Sequence, residues 1–193
     1  MSDSKKMSRR GFIAPSVLLP LAAALGPAGA AEGNASRVLV AYFSRSGNTR
    51  VIAGQLQRTL KASLFEILPA RPYPGDYLET VEQARRERDA DVRPALKSTV
   101  PDIAGYDTIY LGFPTWGETA PPVIRSFLAA HDMKGKTLIP FITHGGYGVG
   151  NSLAVVARHA PAARIRDGAF VLQADQERQT MEKVNEWLVK QAK

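Results

Sequence analysis

From residue 37 onward, short apolar runs alternate with longer segments of helical character. The runs are rich in Val, Ile, Leu and Phe and predict five buried strands, at Arg37–Phe43, Leu64–Leu68, Asp107–Phe113, Thr137–Thr143 and Ile165–Leu172. The segments between and after them predict five helices, at Asn48–Lys61, Asp76–Asp89, Pro122–Ala130, Asn151–His159 and Gln176–Gln191. Strands that are apolar throughout are expected to be buried on both faces, as in a parallel sheet covered by helices. The predicted fold class is therefore α/β, with a doubly wound parallel sheet of five strands.

Composition narrows the function classes. The chain has 193 residues and no cysteine, which excludes disulfide scaffolds, thiolate metal sites and thiol catalysis. Its formal net charge is +7, of which residues 1–30 contribute +3 and the remainder +4. A charge of +4 with no basic stripe of interleaved aromatics does not suggest a nucleic-acid partner.

The first thirty residues have the pattern of an export signal. A basic segment ends in Arg9-Arg10, an apolar stretch follows, and small residues close it at Ala28-Gly29-Ala30. The paired arginines resemble the bacterial twin-arginine signal. The apolar stretch is about 14 residues long, short of the roughly 20 that a spanning helix needs. We therefore predict a signal peptide over 1–30 cleaved after Ala30, a linker over 31–36, a domain over 37–193 and a periplasmic location. No stable membrane anchor is expected after cleavage, and an uncleaved anchor is the alternative.

The loop after the first strand offers an anion site. Ser44-Arg45-Ser46-Gly47-Asn48-Thr49 joins that strand to a helix N-terminus, where free backbone N–H groups and the positive end of the helix dipole converge. The hydroxyl groups add donors, and Gly47 allows close approach of the backbone. The alternative is an ordinary helix cap, with Asn48 or Ser46 at the N-cap position.

The loops after the third and fourth strands each carry an aromatic residue. In the first of these, Trp116 suits stacking on a planar ring, and the alternative is a Trp packed into the core. In the second, Tyr147 is another candidate platform, and the alternative is a flexible loop with an incidental Tyr. His144 is a candidate proton donor or a solvated loop residue. The candidate residues of the two loops are Pro114, Thr115, Trp116 and Gly117, and Thr143, His144, Gly145, Gly146, Tyr147 and Gly148.

On these motifs the chain resembles the flavodoxin family. The first loop is similar to that family's FMN-phosphate loop, which implies that Ser44, Ser46, Gly47, Asn48 and Thr49 hold a phosphate, with Arg45 inside the same loop. The resemblance further implies that the Trp116 loop lines one side of the isoalloxazine and the Tyr147 loop closes the other. Three positions depart from the family pattern, since Gly117 stands where a second Trp is frequent, His144 where Ser is usual, and Tyr147 where a small residue is common.

The resemblance implies an FMN electron carrier that works with a redox partner protein or a small quinone-like acceptor, and the predicted signal peptide implies that this carrier is exported. The alternatives are an FMN-dependent NAD(P)H:quinone, nitro or azo reductase and a flavin-free binding protein on the same fold. Two positions outside the loops are interpreted structurally. The charged run Arg85–Asp89 is expected to be a solvated helix face, with a docking face for an acidic partner as the alternative, and Trp187 is expected in the core.

Overall fold

The computed structural model describes residues 37–173 and 180–191. The predicted signal peptide and linker lie outside the described residues. Within the described ranges, no helix combines the length and the apolar character needed to cross a membrane.

The elements alternate along the chain nearly as the apolar pattern predicts. The strands are β1 (Val38–Tyr42), β2 (Ser63–Glu66), β3 (Thr108–Pro114), β4 (Thr137–His144), β5 (Arg164–Ile165) and β6 (Phe170–Gln173). The helices are α1 (Asn48–Leu60), α2 (Tyr77–Asp89), α3 (Pro122–Ala130), α4 (Ser152–His159) and α5 (Thr180–Gln191). The first residues of the predicted last helix, 176–179, lie outside the described residues.

The strands form one parallel sheet, which confirms the predicted fold class. Its order is β2-β1-β3-β4-β5, and β6 also pairs with β4. The chain leaves β1 toward β2 on one side and returns to β3 on the other. This reversal lies between β1 and β3, and ligands of such sheets bind beyond the carboxyl ends of the strands at that point.

Helices cover both faces of the central strands. Leu39 and Ala41 of β1 point into one apolar cluster, which includes residues of α3 and α4. Val40 and Tyr42 point into the other, which includes residues of α1 and α5. Burial on both faces is therefore found in the central strands, whereas β2 and β6 at the edges are only partly buried.

The predicted continuous fifth strand is wrong, because the chain breaks it into β5 and β6. Gly168 lies between the two pieces with a φ of +82°, which is outside the range of strand residues. Its carbonyl accepts a 3.0 Å hydrogen bond from the indole nitrogen of Trp187 on α5. Trp187 also packs against Tyr110 and Phe170, so its predicted core position is confirmed.

Candidate functional site

A cavity of about 750 Å³ opens at the carboxyl ends of β1, β3 and β4. All three loops that the sequence singled out contribute to its wall. The candidate residues that line it are Arg45, Ser46, Asn48, Pro114, Thr115, Trp116, Gly117, Thr143, His144, Gly145, Tyr147 and Gly148. The other four candidates, Ser44, Gly47, Thr49 and Gly146, do not line it.

The N-terminus of α1 has no side-chain cap. Gly47 is the N-cap residue, with a φ of +100°, so the alternative of an ordinary cap by Asn48 or Ser46 is wrong. The hydroxyl of Ser44 accepts a 3.1 Å hydrogen bond from the Gly47 N–H and thereby shapes the turn. The first-turn N–H groups of a helix have no partner within the helix. Here they open beside Ser46 and Asn48 on the cavity wall, where the helix dipole favours an anion.

Thr49 does not offer its hydroxyl to the cavity. The side chain is buried, and its Oγ1 lies 2.9 Å from the Thr143 Oγ1 at the end of β4. This hydrogen bond connects the start of α1 to the strand that carries the third loop. Thr49 therefore positions the anion loop against its neighbour, a role that residue type and position alone do not reveal.

Arg45 reaches from the same loop to the segment before α2. Its Nη2 donates a 2.6 Å hydrogen bond to the Gly75 carbonyl oxygen, and the side chain remains exposed at the cavity edge. The residue thus connects the anion loop to the start of α2.

The Trp116 loop makes a tight reversal. The Trp116 N–H donates to the Thr119 carbonyl at 2.9 Å, and the Thr119 N–H donates back to the Trp116 carbonyl at 3.3 Å. Gly117 and Glu118 between them have φ values of +55° and +61°. Positive φ at both central residues is the pattern of a type I′ turn, in which a non-glycine such as Glu118 is strained.

Trp116 combines the two interpretations that the sequence left open. Its ring packs edge-on against Phe43 at 5.2 Å and against Tyr73 at 4.9 Å between centroids. It nevertheless remains half-buried and lines the cavity. Burial and a 2.8 Å hydrogen bond to Glu87 raise the pKa of Tyr73, which keeps its hydroxyl protonated and donating.

The third loop is organised by His144. Its Nδ1 accepts hydrogen bonds from the N–H groups of Gly146 at 3.1 Å and Gly148 at 3.3 Å. A nitrogen that accepts cannot carry the proton, so the neutral imidazole is protonated at Nε2. Tyr147 projects from this loop with 84% of the residue's surface exposed, while it still lines the cavity.

Hydrogen bonds join the second and third loops. The Thr115 N–H donates to the Thr143 carbonyl at 2.8 Å, and the Asn151 N–H donates to the Glu118 carbonyl at 2.9 Å. The backbone approaches so closely there that a Cβ on Gly150 would lie 1.9 Å from the Glu118 oxygen. The two loops that carry Trp116 and Tyr147 therefore form one rigidly spaced pair.

One wall of the cavity was not predicted. It is a face of α2, made of Tyr77, Thr80, Val81, Ala84, Arg85 and Arg88. The expected solvated face holds for Arg85, Arg86 and Asp89, which are exposed. Arg85 and Arg88 in addition line the cavity, and Glu87 accepts a hydrogen bond from Tyr73. The i, i+3, i+4, i+7 spacing of the six residues could have indicated a shared face. It could not have indicated which element this face would meet.

Two threonines that line the cavity have hydroxyl groups without a hydrogen-bond partner. The Oγ1 atoms of Thr115 and Thr119 are buried without a hydrogen bond to any described residue. Buried polar atoms of this kind normally have a partner, so a polar ligand is expected beside them. No group of three or more His, Cys, Asp or Glu residues suited to a metal ion occurs in 37–173 or 180–191.

Several solved structures resemble the chain. A protein of Bacteroides eggerthii DSM 20697, assigned as a flavoprotein, is 32% identical, with a TM-score of 0.69 over 81% of this chain and 98% of its own. A flavoprotein of Lactobacillus acidophilus NCFM, solved in complex with FMN, is 20% identical, with a TM-score of 0.64 over 80% of this chain and 99% of its own. A flavodoxin of Fusobacterium nucleatum bound to flavin mononucleotide is 13% identical, with a TM-score of 0.51 over 79% of this chain and 95% of its own.

The sequence comparisons agree with the geometry. No curated protein matches the chain significantly. The family model described as flavodoxin matches residues 37–191, which includes all three loops around the cavity. The resemblance found from the sequence is thereby confirmed, and the chain belongs to the flavodoxin family.

Proposed function

We propose that the protein binds FMN in this cavity and that the bound FMN carries electrons. The observation that carries the proposal is the convergence of the uncapped α1 N-terminus, Trp116 and Tyr147 on one cavity. Ser46, Asn48 and the first-turn N–H groups of α1 would hold the phosphate, and Trp116 and Tyr147 would flank the planar ring. The flavin would supply the redox chemistry, and the protein binding, orientation and electrostatics.

The residues present fit such a ligand. The partnerless hydroxyls of Thr115 and Thr119 belong to the loop that would lie along the ring, where polar ring atoms could complete their hydrogen bonding. The exposed Tyr147 lies on a glycine-rich loop, so its ring can turn onto a bound flavin without disturbing the sheet. The family match and the similar structures solved with FMN bound support the same assignment.

The test is reconstitution of the purified protein with FMN. We expect the purified protein to show a flavin absorption spectrum and to bind about one FMN per chain. Tryptophan fluorescence should be quenched, because Trp116 would contact the flavin ring. Riboflavin, which lacks the phosphate, should bind at least roughly tenfold more weakly, since charge-assisted hydrogen bonds at the α1 N-terminus are lost. A folded protein that binds neither flavin would refute the proposal and favour a flavin-free binding protein.

A reductase acting on small molecules is the second candidate. The open cavity and the exposed Tyr147 leave room for a small quinone-like acceptor beside the ring. Steady-state oxidation of NADPH with a quinone acceptor distinguishes the two functions. Rapid NADPH oxidation favours the reductase. Slow NADPH oxidation, together with reduction of the bound flavin in two separate one-electron steps, favours a carrier that serves a redox partner protein.

Gly117→Val is expected to shift the two reduction potentials of the bound flavin. The positive φ of Gly117 disfavours a β-branched residue. A valine would therefore restrict rotation of the Gly117 carbonyl, which would otherwise be free to turn and accept a hydrogen bond from a protonated flavin nitrogen. Changes of tens of millivolts are expected, because about 59 mV corresponds to a tenfold change for one electron. Spectroelectrochemistry measures both potentials. Gly135→Val is the control, since Gly135 has a φ of +73° and lies outside the cavity. Unchanged potentials in Gly117→Val would contradict the role of this turn.

We further propose that the protein is exported to the periplasm by the twin-arginine route and that no membrane anchor remains after cleavage. The double substitution Arg9→Lys and Arg10→Lys should abolish export while leaving the basic charge unchanged. Cell fractionation measures the exported share. Lys5→Arg with Lys6→Arg is the matched control and should be exported normally. Undiminished export of the Arg9 and Arg10 variant would exclude this route.

A further inference from the structure

The α2 wall gives the cavity a surface that the three flavin-site loops do not provide. Its six lining residues follow one helix face over three turns, and each has an atom on the cavity. The face is apolar toward the N-terminus of the helix, at Tyr77 and Val81, and cationic toward the C-terminus, at Arg85 and Arg88. An apolar patch next to two guanidinium groups suits a ligand with an aromatic part and an anionic part.

The wall is held in place at several points. Before α2, Arg45 donates to the Gly75 carbonyl at 2.6 Å. In the last turn of the helix, Glu87 accepts a 2.8 Å hydrogen bond from Tyr73, whose ring packs on Trp116. After the helix, the buried Arg125 of α3 pairs with Asp91 at 3.0 Å. These contacts fix α2 relative to the loops, so Arg85 and Arg88 occupy a defined position at the cavity.

The charges that line the cavity are mostly positive. Arg45, Arg85 and Arg88 line it together with a single carboxylate, that of Glu118. Arg85 also pairs with Glu82 and Asp89, and Arg88 with Asp89, and the side chains of these pairs are largely solvent-exposed. Exposed pairs contribute little free energy, so an anion in the partly desolvated cavity can compete for the guanidinium groups.

We propose that the α2 wall is a subsite for a small aromatic anion, such as a quinone with a sulfonate or carboxylate substituent, which binds beside the flavin. The proposal rests on the FMN site proposed above. The α2 wall belongs to the same cavity of about 750 Å³ that takes the flavin, so the anion occupies the part of that cavity next to α2. The anionic group pairs with Arg85 and Arg88, and the aromatic part lies against Tyr77 and Val81.

The test compares two probes on the FMN-loaded protein by calorimetry. Anthraquinone-2-sulfonate carries the anionic group, and 2-(hydroxymethyl)anthraquinone is its neutral counterpart. The wild type should bind the sulfonate at least roughly tenfold more tightly, and added salt should reduce the difference. Arg85→Gln with Arg88→Gln should bring the two affinities to within about twofold, because both charge-assisted contacts are removed. Arg86→Gln is the control for charge on the same helix, since Arg86 is exposed and does not line the cavity.

Three outcomes overturn the subsite. An unchanged preference in the double variant would show that the two arginines do not bind the anion. A double variant that loses affinity for FMN and keeps it for riboflavin would assign the arginines to the cofactor phosphate. Binding of polyglutamate but of neither probe would indicate an acidic protein partner instead.

Failure of the FMN site is detected separately. The same titrations on flavin-free protein show whether the sulfonate preference exists without flavin. Absence of FMN binding would remove the proposed function and, with it, a subsite beside the flavin, even if the sulfonate preference persists. Loss of the preference with FMN binding intact would remove only the subsite.

Discussion

Gly150→Ala is expected to separate the two loops that carry Trp116 and Tyr147 and to destabilise the flavin-free protein by about 3 kcal/mol. The φ of Gly150 is +52°, which alone costs an L-residue about 1–2 kcal/mol. The larger effect is steric. The new Cβ would lie 1.9 Å from the Glu118 oxygen and 2.5 Å from its carbonyl carbon. These are backbone atoms, so no side-chain rotation relieves the overlap.

The displacement should also reduce flavin affinity. Relief of the overlap breaks the hydrogen bond from the Asn151 N–H to the Glu118 carbonyl, which spaces the two loops. A planar ring held between Trp116 and Tyr147 then loses contact on one side, and we expect FMN affinity to fall by at least about tenfold. Chemical denaturation of the flavin-free protein and FMN titration measure the two effects.

Gly148→Ala is the matched control for the steric part. Gly148 lies in the same loop with a φ of +72°, but a Cβ there meets no atom within 4 Å. It should therefore lose only the conformational part, about 1 kcal/mol. Equal losses of stability in the two variants would mean that the contact between Gly150 and Glu118 does not hold the loops together.

The central fold could be predicted because its signals are local. Each of β1, β3 and β4 is an apolar run that can be recognised as a strand from its own residues alone. Burial on both faces follows from the absence of alternating polar residues in the run. The anion loop was recognisable for the same reason, since Gly47 and the start of α1 are adjacent in sequence. The break at Gly168 was not predictable in this way. It is stabilised by the indole of Trp187, which is 19 residues further along the chain.

The site was predictable by position and not by contact. The carboxyl ends of neighbouring parallel strands meet at one edge, so the three loops had to lie together. The hydrogen bond between the hydroxyls of Thr49 and Thr143 joins residues 94 positions apart, and no local sequence pattern indicates it. The position of α2 was likewise not predictable, since the sequence indicated its charged face but not that this face would line the cavity. Its orientation depends on tertiary contacts from Arg45, Tyr73 and Arg125 that only the folded chain displays.

Gly112→Ala is expected to have the largest effect on stability within the sheet. Gly112 on β3 lies opposite Phe141 on β4, and the Phe141 ring covers the glycine backbone. A Cβ on Gly112 would lie 2.0 Å from Cζ and 2.2 Å from Cε2 of that ring. Phe141 is fully buried, so its ring cannot turn away without disturbing its neighbours. We expect a loss of about 3 kcal/mol or more, the upper range for overpacked cores.

Phe141→Leu provides the test of this cause. Alone it should destabilise by about 1–2 kcal/mol, because a smaller apolar side chain leaves part of the space unfilled. Combined with Gly112→Ala, it should restore stability, since the space vacated by the ring receives the new methyl group. The double variant should therefore be more stable than Gly112→Ala, with a coupling energy of about 2 kcal/mol by denaturation. Additive losses would contradict the overlap as the cause.

If Gly112→Ala alone does not fold, a folded double variant carries the same conclusion. Since β3 ends at Pro114, directly before Thr115 and Trp116, recovery of FMN binding in the double variant would show that this packing also positions the site.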